Sequence, residues 1–169
     1  KKELVTELAA TLAFSAIKNQ DKVGLSIFAD QVELSIPPRK GTNDVLRLIR
    51  ALLVHRVSGR GTNLAAALDH LNRTNKRKSV VFLLSDFQDV DYEKSLRIAS
   101  RRHDLIPVVV SDRREQELPD VGLLPLRDAE SGVVRWVDTS SRNHRFLFQR
   151  SVSKRQQTRD DLFCKLGLR

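Results

Sequence analysis

The chain has 169 residues, 40% of them hydrophobic and 30% charged, which is material for one domain with a real core. Its longest apolar runs, such as Val80-Val81-Phe82-Leu83-Leu84, are strand-sized and fall well short of the roughly 20 residues of a membrane span. The net charge is +9, but the last 29 positions hold eight basic and two acidic residues, hence +6, which leaves +3 for the first 140.

A single cysteine, Cys164, excludes an internal disulfide and a thiolate metal site, and a reducing compartment is expected. Lys1-Lys2-Glu3 leads into helical periodicity without the apolar region of a signal peptide, so the expected location is cytoplasmic. No methionine occurs, even at position 1, and the chain reads as beginning partway through a longer protein.

Leu4, Val5, Leu8, Leu12 and Ile17, with alanines between them, predict a small-residue-rich helix buried on a sheet. Val23 to Phe28 and Val32 to Ile36 predict two strands joined as a hairpin through Ala29-Asp30-Gln31, with Pro37-Pro38 ending the second at a sheet edge. Thr42 or Asn43 can cap a helix carrying Val45, Leu48, Ile49 and Leu52. After the Ser58 to Asn63 loop, Leu64, Leu68 and Leu71 mark another helix.

Ser79 to Leu84 is nearly continuous in apolar residues, the pattern of a strand covered on both faces in a mostly parallel sheet, and it ends in Ser85-Asp86-Phe87. Tyr92, Leu96 and Ala99 give a helix face, and Leu105 to Val110 a further buried strand ending in Ser111-Asp112. Leu123 to Leu126 and Val133 to Val137 predict two strands around an Asp128 to Gly132 turn, followed by a long basic helix with Cys164 packed beside Phe163. The alternation implies a doubly wound α/β domain over 1–140, with helices on both faces of a mostly parallel sheet, an antiparallel edge hairpin, and the helix of 141–169 packed on it or extending from it. Ligands of such sheets bind beyond the carboxyl ends of strands, where Asp30, Asp86 and Asp112 fall.

The Asp86 carboxylate at a strand end and the Thr62 hydroxyl at a helix start are hard oxygen donors that could form part of a magnesium shell. The plainer alternative makes Thr62 an N-cap and Asp86 a solvated strand-end residue. The four histidines lack metal-ligand spacing, no G-x-S-x-G elbow precedes a helix, and no Walker lysine follows Gly59-Arg60-Gly61-Thr62, so no enzyme is expected.

Asp21 to Asp30, Ile36 to Gly41, Gly61-Thr62-Asn63-Leu64, Val80 to Phe87, Arg101 to Asp104 and Glu117 to Gly122 together resemble the bacterial domain-of-unknown-function family 58. The resemblance implies a von Willebrand factor A-like fold with a metal-ion-dependent adhesion site built from three loops. Thr62 matches the threonine of the second loop and Asp86 the aspartate of the third, with magnesium as the implied cofactor. The first loop, Asp-x-Ser-x-Ser in the family, would lie ahead of Lys1 together with a central strand. Its absence here implies either that the strands of 23–28 and 79–84 close on each other or that a gap remains. Asn63 stands where many relatives carry an acidic residue, which lowers the local negative charge.

The resemblance further implies a non-enzymatic protein-interaction module working with a MoxR-type AAA+ ATPase, with Arg60, Asn63 and Phe87 beside the metal loops as partner contacts. A metal-independent scaffold is the alternative. A third reading places an anionic membrane face or nucleic acid against Arg142, Arg145, Arg150, Lys154 and Arg155. A solvated helix packed through its apolar side is the plainer account of that tail, so nucleic acid is not the expected partner.

Overall fold

The structure is a computed structural model and describes residues 2–59, 61–112, 115–127 and 133–168. It is a mixed α/β arrangement of two compact units, Lys1–Thr74 and Asn75–Arg169.

The first unit contains α1 (Lys2–Lys18), β1 (Val23–Phe28), β2 (Val32–Arg39), α2 (Thr42–Val54) and α3 (Leu64–Thr74). β1 and β2 pair antiparallel as the expected hairpin, closed by Ala29 N–H donating to Gln31 O at 2.8 Å. β2 does not stop at Pro37-Pro38 but continues through both to Arg39, and a register shift between Val23 and Leu25 absorbs the irregularity. Prolines without amide donors are tolerated at such a bulge. Gly24 makes it fit, since a Cβ there would lie 3.0 Å from both Ile36 O and Pro38 N.

α2 packs on the hairpin through its buried Val45 and Leu48, and α3 packs on β2 while burying Leu64 and Leu68 completely. α2 begins at Gly41, whose φ of 121° suits glycine, rather than with a Thr42 or Asn43 side-chain cap. The expected sheet-buried first helix is corrected: α1 packs against α2, buries Ala13, and leaves Leu4 and Phe14 exposed.

The second unit contains β3 (Val80–Ser85), α4 (Glu93–Arg102), β4 (Asp104–Val109), β5 (Leu123–Arg127), β6 (Val134–Asp138) and α5 (Arg142–Lys165). β3 and β4 pair in parallel across the α4 crossover, and β5 and β6 pair antiparallel. The turn predicted at 128–132 lies outside the described residues. Fully buried Thr139 extends the β5–β6 ladder, its N–H and hydroxyl donating to Gly122 O at 2.8 and 2.6 Å. Ser141 caps α5 by accepting from His144 N–H. Positions 145, 148, 152, 156, 159 and 163 of α5 turn inward at helical spacing, whereas Cys164, expected to be packed, is exposed.

Among the described residues the strands pair as three two-stranded ladders, β1–β2 in the first unit and β3–β4 and β5–β6 in the second. β1 takes β2 as its partner and β3 takes β4. β3 is accordingly not covered on both faces: Leu83 is buried, while Val80 and Phe82 on the opposite face are exposed.

His103, where α4 gives way to β4, is 3% exposed, and neither ring nitrogen has a hydrogen-bond partner among the described residues. Burial, reinforced by Arg102, pushes its pKa below the ordinary imidazole value. The unfolded chain therefore binds this proton more readily, and stability contributed by the neutral ring is present above the unfolded value near 6.5 and is lost as pH falls below it. The thermal midpoint is expected to drop between neutral pH and pH ~5, and His103→Leu to flatten that drop. An unchanged acid slope in the variant would rule out His103 as its source.

Candidate functional site

Thr62 and Asn63 occupy a loop of the first unit that leads into α3. The backbone of this loop is fixed at two points. Asn63 N–H donates to Ala29 O at 2.7 Å, and the Asn63 side-chain oxygen accepts from Ala66 N–H at 2.8 Å. The N-cap of α3 is therefore Asn63 rather than Thr62, and the cap occupies the oxygen expected at a partner surface. Arg60, expected beside it, lies outside the described residues.

Upstream, the same loop is held by a carboxylate that the motif reading passed over. Glu33 on β2, with a side chain 7% exposed, accepts from His55 Nε2 at 2.7 Å, Ser58 N–H at 2.9 Å, Ser58 Oγ at 3.3 Å and Gly59 N–H at 2.7 Å. The Gly59 N–H and the His55 ring lead the interactions that lower its pKa to about 2, so it is an acceptor only and His55 Nε2 must be the donor. Gly59 has no room for a side chain, because a Cβ would fall 2.1 Å from Asp30 Oδ1. The loop is thus pressed onto the β1–β2 hairpin end, with Thr62 between two anchored stretches.

Asp86 and Phe87 occupy a loop of the second unit, directly after β3. Ser85 Oγ accepts from Phe87 N–H at 3.1 Å, and Asp86 Oδ1 accepts from Gln88 N–H at 3.3 Å. Phe87 has φ of 53°, a left-handed conformation unfavourable for a bulky residue. The ring compensates: it is 6% exposed, edge-on to Phe163 of α5 at 5.0 Å and tilted against Tyr92 at 6.0 Å. Expected as a partner contact, Phe87 instead wedges the turn that carries Asp86.

The five cations singled out on α5 divide into two sets. Arg145 is turned inward, pairing with Asp120 at 2.9 Å and donating to Thr139 O at 2.5 Å and Ser140 O at 3.1 Å. Arg142, Arg150, Lys154 and Arg155 are exposed. The histidines hold structural positions: His55 on Glu33, His70 on Ser35 Oγ at 3.0 Å, His103 in the core and His144 Nδ1 on Asp138 O at 3.0 Å.

Residues 1–158 match the family described as "Protein of unknown function DUF58". The chain belongs to the DUF58 family. Among its relatives, the uncharacterized protein Rv1480 of Mycobacterium tuberculosis is 33% identical over 138 residues, 80% of this chain and 44% of that protein. The uncharacterized protein MAV169 of Mycobacterium avium is 36% identical over 104 residues, 59% of this chain and 61% of that protein. This DUF58 chain thus spans less than half the length of Rv1480.

Among solved structures, the conserved hypothetical protein BatB of Bacteroides thetaiotaomicron aligns with TM-score 0.54 and 14% identity over 98% of this chain and 88% of that one. An aerotolerance-related membrane protein from Bacteroides fragilis aligns with TM-score 0.53 and 17% identity over 89% and 76%. These likenesses are of fold. Among the described residues, no helix is long and apolar enough to cross a membrane.

In this DUF58 chain Glu33→Gln keeps the size of the side chain and removes its charge. Amide hydrogen exchange at Ser58 and Gly59 is expected to accelerate. The stability Glu33 contributes is complete above pH 4.5 and is lost as pH falls to about 2, so the variant should also lose part of its acid unfolding limb. Unchanged exchange rates and an unchanged acid limb would mean that Glu33 does not hold the loop. Phe87→Ala removes a buried ring and leaves the left-handed turn without its wedge; urea unfolding should show a loss of about 3–5 kcal/mol.

Proposed function

We propose that this chain is a non-enzymatic protein-interaction module of the von Willebrand factor A type, forming part of a longer protein and working with a MoxR-type AAA+ ATPase in the cytoplasm. The observation that carries this reading is the construction of the two loops bearing Thr62 and Asp86. One is held upstream by Glu33, through Ser58 and Gly59, and downstream by the Asn63 cap, and the other by Ser85 and the Phe87 ring. Recognition loops work when they are preorganised in this way, because little ordering entropy then remains to oppose partner binding. The fold likeness to BatB supports the architecture in which such loops sit.

A hydroxyl and a carboxylate fit magnesium chemically. Among the described residues there is no cluster of three or more His, Cys, Asp or Glu side chains suited to a metal, and the reading of Thr62 and Asp86 as two of the oxygen donors rests on the family resemblance. When bound there, magnesium would supply an open coordination position for a partner's carboxylate oxygen. The chain's own part is to hold the Thr62 hydroxyl and the Asp86 carboxylate in place, and no covalent step is involved.

Thr62→Ala and Asp86→Ala, made separately in the longer protein, are each expected to lower Mn²⁺ affinity at least tenfold, as loss of a ligand from an incomplete shell does. Each should also weaken capture of the ATPase to the level seen in EDTA. Capture that survives both substitutions and the chelator would eliminate the metal mechanism in favour of a metal-independent scaffold.

A further inference from the structure

From Thr139 to Arg159 the sequence contains five arginines and one lysine and no acidic residue. The structure sorts them. Arg145 is tied to Asp120 and two carbonyls, and Arg159 is bonded to Asp160 at 2.7 Å with its side chain only 16% exposed. Arg142, Arg150, Lys154 and Arg155 project to solvent.

Among these four, on the outer side of the same helix, lie two large apolar side chains that the fold does not bury: Phe146 is 60% exposed and Leu147 is 52% exposed. Arg142, Phe146 and Arg150 follow one another at four-residue spacing, and Leu147, Arg150 or Ser151, and Lys154 run alongside, so cations flank the apolar pair along the helix axis. Leu147, Arg150, Ser151, Lys154 and Arg155 lie on successive turns of the exposed side of this helix. The inward face of α5 is already satisfied by Val152 and Phe163.

We infer that the outer face of α5, over residues 142–155, is a docking surface for an anionic lipid bilayer. Four exposed cations on a stretch whose sequence holds no acidic residue supply the attraction to lipid headgroups, and their long apolar stems let Phe146 and Leu147 approach the acyl boundary with the charges kept in water. Charge complementarity alone would also suit a nucleic acid. The exposed Phe146–Leu147 pair decides for lipid, since a phosphate backbone gives apolar side chains nothing to bury in.

The test is co-sedimentation of the intact chain with vesicles of phosphatidylcholine alone and of phosphatidylcholine mixed equally with phosphatidylglycerol. Binding is expected only to the anionic vesicles. R150Q/K154Q/R155Q should weaken it by roughly tenfold to a hundredfold, the effect of three charges near an anionic leaflet. F146S/L147S, with the charge unchanged, should weaken it by roughly tenfold through lost apolar burial.

K76Q/R77Q/K78Q removes the same charge from an exposed stretch outside α5 and should weaken binding clearly less than R150Q/K154Q/R155Q does. All substituted positions are exposed, and far-ultraviolet circular dichroism is the check that each variant is folded. Equal losses in the two triple variants would reduce the effect to net charge and overturn the proposal. It is likewise overturned if anionic vesicles are not bound, or if F146S/L147S binds them as the parent does. Binding of duplex DNA by the parent without binding to vesicles would reassign the face to nucleic acid.

Discussion

Backbone amides and carbonyls of an apolar strand must be bonded if the strand is to be buried, and this chain meets that requirement two strands at a time. Each ladder satisfies one side of each of its strands. Much of the rest follows from that limit. β3 has the composition of a doubly covered strand yet exposes Val80 and Phe82, and α1 has a wide alanine-lined stripe yet finds α2 rather than a sheet to pack on. Helix packing and turn chemistry carry what a larger sheet would otherwise supply.

Both loops that carry candidate ligands depend on side chains chosen for support rather than for chemistry. Glu33 is a charge on an alternating strand, ordinarily read as solvated, but four donors from 55–59 converge on it and remove it from water. Phe87 beside a strand-end aspartate suggests an exposed contact. Its positive φ and its packing against Phe163 show a ring used to stabilise a turn that the backbone alone would disfavour. One loop is held by a carboxylate distant in sequence and the other by the ring next to the expected ligand, and both fix backbone before any partner arrives.

Charge is allocated by the same logic. The excess of the C-terminal segment looks uniform along the chain, yet one helix turns Arg145 toward Asp120 and two carbonyls while leaving Arg142, Arg150, Lys154 and Arg155 in solvent beside Phe146 and Leu147. A basic helix is ordinary, but one whose solvent face also carries two large apolar side chains has a surface suited to an amphipathic boundary.

Local patterns in the sequence determined most of the elements: the β1–β2 hairpin around Ala29-Asp30-Gln31, the helices bearing Val45 and Leu64, the strand-helix-strand unit of β3, α4 and β4, and the basic α5 all lie where periodicity and turn residues put them. Family membership was legible too, because it rests on ordered motifs. The continuation of β2 through Pro37-Pro38 was not, since it depends on a bulge opposite Gly24 in another strand. Only the tertiary structure decided that β2 is the partner of β1 and β4 that of β3, that Asn63 rather than Thr62 caps α3, that Glu33 anchors the 55–59 loop, and which cations face outward. These are properties of residues distant in sequence meeting in space. Propensity and spacing report what a segment can form, while ladder partners, hydrogen-bond convergence and burial are settled by what the rest of the chain brings to it.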